Sequence, residues 1–299
     1  MRLRFLLPFV CATPVAGQSR YEFTELHLGV ATRVILYAPD DSAARAAARS
    51  AFNRVATLED KMSDWRPESE VNRLARRAGE WVEVSAELYA VLWQAIEIAA
   101  LTDGAFDPTV APLVALWREA RRAGALPPAA ALDSARALVG WHRVSLDKCR
   151  PLVRLEPGTR LDLGGIAKGY ILAEALGALR AHGVTHALIE AGGDIVAGDP
   201  PPGQAGWTVT FGASDSIYAN VAVSTSGTGE QIVEIDGARY AHVVDPRTGL
   251  GVTAARTVTV IADDAAMADA LATAFVVLGR ERAADVSARL PGLRVIWRE

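Results

Sequence analysis

The run Leu161-Asp162-Leu163-Gly164-Gly165-Ile166-Ala167-Lys168-Gly169-Tyr170 constrains this chain more than any other. From Arg160 to Leu163 polar and apolar residues alternate, and from Ile166 to Leu179 apolar residues return at helical spacing, so the pattern predicts strand, glycine turn and helix. A helix N-terminus presents unpaired N–H groups and the positive end of a dipole, and glycines let phosphates approach the main chain. Lys168, one turn in, adds a cation. The spacing is neither G-x-G-x-x-G nor G-x-x-x-x-G-K-[ST], so both an anion site and a plain tight connection stay open here.

Around this run the chain reads as alternating helices and strands. Leu26 to Tyr37 is expected as a strand, and Ser42 as the cap of an alanine-rich helix reaching Leu58 or Met62. Ser69 to Leu74 suits a short capped turn or helix, and Ser85 caps a helix to Leu101 with Leu88, Val91, Leu92, Ala95, Ile98 and Ala99 on one face. A loop at Ala105 to Thr109 precedes a helix from Val110 to Arg121, and one more short helix fits within 124–140. Strands are expected at Leu152 to Leu155, Ala187 to Glu190, Trp207 to Phe211 and Asn220 to Ser224. Gln231 to Asp236 and Ala238 to Val244 flank Asp236-Gly237, a strong hairpin signal. Thr257 to Ile261, helices from Ala265 to Leu278 and Arg282 to Leu290, and a strand from Leu293 to Trp297 complete the chain.

At 299 residues there is material for one large domain or two smaller ones. A net charge of −4 without a lysine-rich block argues against nucleic acid as a partner. Residues 1–17 combine Arg2 and Arg4, an apolar stretch from Phe5 to Val10 and small residues at Val15, Ala16 and Gly17, the pattern of an export signal peptide. Its removal would take the charge to −6 and leave residues 18–299 as the working domain. Cys11 follows Pro8-Phe9-Val10 rather than small residues, which argues against a lipid anchor, and Cys149 alone in the mature chain excludes an internal disulfide. No later stretch offers about 18 uninterrupted apolar residues.

Asp269 and Thr273 lie four apart in the helix from Ala265, so both oxygens project from one face, where they can serve a hard divalent cation such as Mg²⁺. His242 at a strand end, with Asp245, Arg247 and Thr248 in the following turn, suits ligand contact or proton transfer; Asp245 and Thr248 equally suit capping that turn. Asp107 and Asp162 sit at loop edges, where a carboxylate accepts hydrogen bonds from a ligand or caps the loop. No G-x-S-x-G, H-E-x-x-H or C-x-x-C occurs.

Taken in order, seven segments resemble the ApbE-like family of FAD:protein FMN transferases. They are Met62 to Trp65 with Ser69-Glu70, Gly104 to Thr109, Leu161 to Tyr170, Ala191 to Asp194, Ser224 to Gly227, His242 to Gly249, and Ala268 to Ala274. The resemblance spans roughly residues 26 to 280, and departs from the family pattern at Leu28, Val30 and Ala75. It implies a single domain of mixed α/β (α+β) character, with mixed sheets and flanking helices around an FAD and metal cleft. It also implies a Mg²⁺-dependent enzyme that moves FMN from FAD to a Ser or Thr hydroxyl of a target flavoprotein, releasing AMP. Trp65, Ala105, Phe106, Asp107, Asp162 and Lys168 match FAD-contacting positions, and Val244 or its neighbours would touch the flavin side. A carbonyl near Gly165 joins Asp269 and Thr273 at the metal, and His242 and Asp245 are candidates for the general base. An exported, periplasmic setting, near a membrane through the target, follows from the same resemblance. The competing readings are hydrolysis of FAD to FMN and AMP at the same site, and FAD binding without turnover.

Overall fold

The structure is a computed structural model and describes residues 17–211, 214–228 and 232–298. The expected leader apart from Gly17 lies outside those residues, as do Cys11 and the first residue of the expected 231–236 strand. The chain opens with a hairpin, β1 (Ser19–His27) and β2 (Val30–Ala38), instead of the single strand expected over Leu26 to Tyr37. His27 pairs with Val30, and Leu28 and Gly29 turn between them with φ of 55° and 74°. A glycine adopts that left-handed turn readily and a leucine does not, which is why the break is hidden in an apolar run.

Helix α1 (Asp41–Met62) buries Ala44, Ala47, Ala48, Ala51, Phe52, Val55, Leu58 and Met62. Its cap is Asp40, whose carboxylate accepts from Ala43 N at 2.8 Å, two residues before the expected Ser42. Ser69 caps α2 (Glu70–Arg76), and after the short β3 (Trp81–Glu83) Ser85 caps α3 (Ala86–Leu101). Helices α4 (Ala111–Ala123) and α5 (Ala129–Arg136) follow, then β4 (Val144–Leu146) and β5 (Leu152–Leu155), which join β3 in a small sheet ordered β3-β5-β4.

The expected strand at Arg160 to Leu163 does not form. Asp162 N donates to Pro108 O at 2.8 Å, so this extended segment lies along the 105–109 loop outside any ladder, and its turn leads into α6 (Ala167–Ala181). Beyond it come β6 (Ala187–Ala191) and β7 (Asp194–Ala197), joined by a two-residue turn at Gly192 and Gly193, then the β8 (Trp207–Phe211) and β9 (Ser214–Tyr218) ribbon and β10 (Val221–Gly227). A small hairpin, β11 (Val233–Ile235) and β12 (Ala238–Tyr240), turns at Asp236-Gly237 as expected, but its second strand stops at Tyr240. From there the chain pairs with its own return, through Ala241 N to Val252 O and Val252 N to Val243 O, both 2.9 Å. The chain closes with β13 (Thr257–Ala262), α7 (Ala265–Leu278), α8 (Arg280–Ser287) and β14 (Arg294–Arg298).

These parts assemble into an α+β domain. Seven strands form one sheet in the order β1-β2-β6-β7-β10-β13-β14, each pair antiparallel. Strand alternation sends Val34 and Leu36 into the core shared with α1, α3, α6 and α7, while Ile35 turns to the opposite face with Leu188 and Trp207. There the β8–β9 ribbon covers the sheet through Trp207, Val209 and Tyr218. On the helical side α1 packs on α6, α6 on α7, and α7 on β10 and β13. A second core gathers Leu113, Trp117, Ala120 and Ala135 of α4 and α5 with Ile235 and Val244. No helix among the described residues is long and apolar enough to cross a membrane.

Candidate functional site

The glycine turn is built around close approach. Asp162 Oδ1 accepts from Gly164 N at 2.9 Å, and Leu163 O accepts from Ile166 N and Ala167 N at 3.0 and 2.8 Å, which turns the chain into α6. No side chain caps this helix start. A side chain at Gly169 would run into the Ala265 carbonyl, so only glycine lets α7 lie this close; a Cβ at Gly165 would stand 3.2 Å from Thr273 Oγ1. Gly169 N donates to Asp269 Oδ2 at 3.0 Å. The start of α6 and the Asp269/Thr273 face of α7 thus form one floor.

Above that floor opens a cavity of about 560 Å³. Ala105, Phe106 and Asp107 form one wall, Gly165 and Lys168 meet Asp269 and Thr273 at the floor, and the loop carrying His242 and Val244 closes another side. Asp162 lines it too, and Trp65 stands at the mouth, 71% exposed, with the Arg118 guanidinium 3.9 Å from its ring centroid. That distance is a cation–π stack. Trp117 fixes the histidine loop, its Nε1–H donating to Ala241 O at 2.9 Å.

Of the residues singled out in the sequence, Asp245 lies outside the cavity lining, with Arg247 and Thr248 of the same turn. Its Oδ1 accepts from Arg247 N and Nε, each at 2.9 Å, and its Oδ2 lies 2.7 Å from the Arg247 guanidinium. Those bonds give it the turn-capping part. His242 is exposed and lines the cavity. Asp107 lines the cavity while holding the neighbouring loop: Oδ1 accepts from Thr109 N and Oγ1 at 2.8 and 2.6 Å, and Oδ2 from Trp141 N at 2.9 Å. Burial pushes the Asp107 carboxyl up despite those donors, and burial with the nearby Asp64 pushes Asp162 up.

Charge concentrates beneath the floor. Lys168 Nζ lies 2.7 Å from Asp194 Oδ2, off line for a hydrogen bond, so the contact is an ion pair with a buried carboxylate. Asp194 Oδ1 accepts from Ser224 Oγ at 2.8 Å and Thr225 N at 3.0 Å, and Ser224 Oγ lies 3.4 Å from Asp269 Oδ1. Ser226 Oγ and Thr273 Oγ1 are 3.1 Å apart. Burial pushes the Asp269 carboxyl up to about 7, with Asp194 adding and Lys168 opposing. Among the described residues no three His, Cys, Asp or Glu side chains gather as a metal site. A hard cation would therefore take the Asp269 carboxylate, the Thr273 hydroxyl and main-chain oxygen near Gly165, with water or substrate completing its shell. All of these are oxygen donors, and a buried carboxyl held near neutrality is one that a cation would return to its charged form. The residues fit such an ion.

Sequence reasoning gave no role to Arg118, Ser224, Ser226 or the carboxylate of Asp194, though the last three sit in segments that resemble the family. Arg118 looks like any polar residue on an amphipathic helix. The other three meet their partners across 26 to 47 positions, and no local spacing encodes such contacts.

A model of the ApbE family matches residues 28–297. The chain is 31% identical to a Treponema pallidum (strain Nichols) protein named FAD:protein FMN transferase, over 99% of this chain and 90% of that one. It is 32% identical to a Klebsiella pneumoniae (strain 342) protein of the same name, over 88% and 84%. Among solved structures it resembles the apo form of the Pseudomonas stutzeri flavinyl transferase ApbE, with a TM-score of 0.85 and 27% identity over 96% of this chain and 94% of that one. The ApbE protein of Thermotoga maritima MSB8 superposes with a TM-score of 0.79 at 32% identity, over 93% of each chain.

Proposed function

The chain belongs to the ApbE family, and from that membership and its cavity we propose that it is an FAD:protein FMN transferase that modifies a Ser or Thr hydroxyl of a target flavoprotein. The supporting observation is the seating of α7 on the glycine turn, which puts the start of α6, a lysine and an oxygen-donor pair on one cavity floor. The helix start and Lys168 receive the diphosphate of FAD; Trp65 and Phe106 offer ring faces, and Asp107 and Asp162 offer acceptors. Asp269, Thr273 and main-chain oxygen near Gly165 would hold Mg²⁺, which would neutralise charge on the diphosphate.

In the transfer, the acceptor hydroxyl oxygen forms a bond to the FMN phosphorus, the bond from that phosphorus to the AMP oxygen breaks, and AMP leaves. His242 takes the hydroxyl proton, because it lines the cavity and Asp245 does not. Incubation with FAD, Mg²⁺ and a flavoprotein subunit carrying an acceptor Thr tests the reading by mass spectrometry. FMN mass on the subunit with free AMP is expected. Free FMN plus AMP would turn the reading to hydrolysis, and intact bound FAD would turn it to simple binding.

An exported, periplasmic location, near a membrane through its target, belongs to the same proposal and is supported by the basic and apolar pattern of residues 1–17. A fusion of those residues to a reporter active only outside the cytoplasm is expected to be active. An inactive fusion would overturn the location.

A further inference from the structure

We propose that Asp194 is a positioning residue for the reaction: it fixes the Lys168 ammonium in the cavity floor, ready for the anionic diphosphate. This rests on the transferase reading and adds a residue that does not itself line the cavity. Asp194 begins β7 directly after the Gly192-Gly193 turn, and those two glycines do line it, so the hairpin sets the carboxylate just behind the wall. Its Oδ1 is held by Ser224 Oγ and Thr225 N of β10, while its Oδ2 stands 2.7 Å from Lys168 Nζ. The lysine comes from α6, so three elements fix one ion pair. The Asp194 side chain is 3% exposed and that of Lys168 27%, which leaves the lysine as the member facing the cavity.

A lysine has four rotatable side-chain bonds, and ordering such a chain on binding costs free energy. Here the ordering is done when the protein folds. Lys168 is also tied to its place, because departure would strand the Asp194 carboxylate in a buried site whose Ser224 hydroxyl already links it to a second carboxylate, Asp269. An ammonium has three N–H donors, so it keeps Asp194 while meeting a phosphate oxygen. An opposing effect exists: Asp194 carries a negative charge close to where the diphosphate would lie, and its removal relieves repulsion. The two effects predict opposite signs.

The test uses the full chain and three variants, Asp194→Asn, Lys168→Gln and the double variant, with FAD affinity measured in EDTA, KM and kcat measured with Mg²⁺, and melting temperature recorded. Positioning predicts about tenfold weaker FAD binding for each single variant, a larger change in KM than in kcat, and a double variant no weaker than Lys168→Gln alone. Tighter binding by Asp194→Asn would mean repulsion dominates and would overturn the proposal. So would an unchanged FAD affinity beside a lowered melting temperature, or an Asp194→Asn effect that persists in the Lys168→Gln background. Should Asp194→Asn fail to fold, Lys168→Arg decides: it keeps the charge and changes the reach, so weaker binding is expected and wild-type affinity would refute the idea. A wild-type protein that neither binds nor turns over FAD would bring down the transferase reading and this inference with it.

Discussion

At Gly169 the missing side chain is what lets α6 and α7 touch, since any Cβ meets the Ala265 carbonyl. Gly169→Ala should cost roughly 1–3 kcal/mol of stability by overpacking, measurable by denaturant unfolding. Asp269 shows the reverse balance. Folding raises its proton affinity from the ordinary value of 3.8 to about 7, chiefly by burial, so its contribution to stability is complete below 3.8 and is lost as pH rises through about 7. In EDTA, Asp269→Asn should therefore melt higher than wild type at pH 8, and with Mg²⁺ supplied in place of EDTA it should show no metal-dependent turnover. A variant that melts lower at that pH, or that keeps its turnover, would contradict the assignment. Most of the cavity-lining residues could be picked out in the sequence, because each sits in a segment that resembles a family motif. Asp194 sits in one too, but its partners Lys168 and Ser224 are set by the fold alone.

Elements with a cap and a periodic face were legible: Ser69 and Ser85 cap the helices they were expected to cap, and α7 ends at Gly279. Those that failed did so for physical reasons. The β1–β2 turn hides behind a leucine in the left-handed region, Arg160 to Leu163 finds its partner in a loop, and β3 and β4 are three residues each, too short to show a period. Charge pairs tie the helices together: Glu87 of α3 lies 2.9 Å from Arg54 and 2.8 Å from Lys61 of α1, and Arg54 also pairs with Glu174 of α6. Lys61 first, with Arg54, lowers the Glu87 carboxyl from 4.5 to about 2. A lowered value stabilises the fold above 4.5 and is lost as pH falls through about 2. Glu87→Gln should cost about 1–3 kcal/mol at pH 7, and less as the pH falls below 4.5, by urea unfolding at a series of pH values.

The whole molecule separates support from chemistry. The cavity gathers residues of α4, α6, α7, β10 and β13 with the loops and turns between elements, while the β8–β9 ribbon seals the opposite face through Trp207, 6% exposed. Trp207→Ala should lose about 3–5 kcal/mol of stability, seen in denaturant midpoints, yet keep kcat and KM at temperatures where it stays folded. The indole at the mouth behaves otherwise. Trp65 is 71% exposed and borders the cavity proposed for FAD, while Trp117 and Trp207 are buried. Its emission belongs at the red edge of the protein's fluorescence, and an arriving isoalloxazine or purine would quench that edge first. The enzyme carries its own optical reporter of occupancy, and Trp65→Phe should weaken the quenching at that edge.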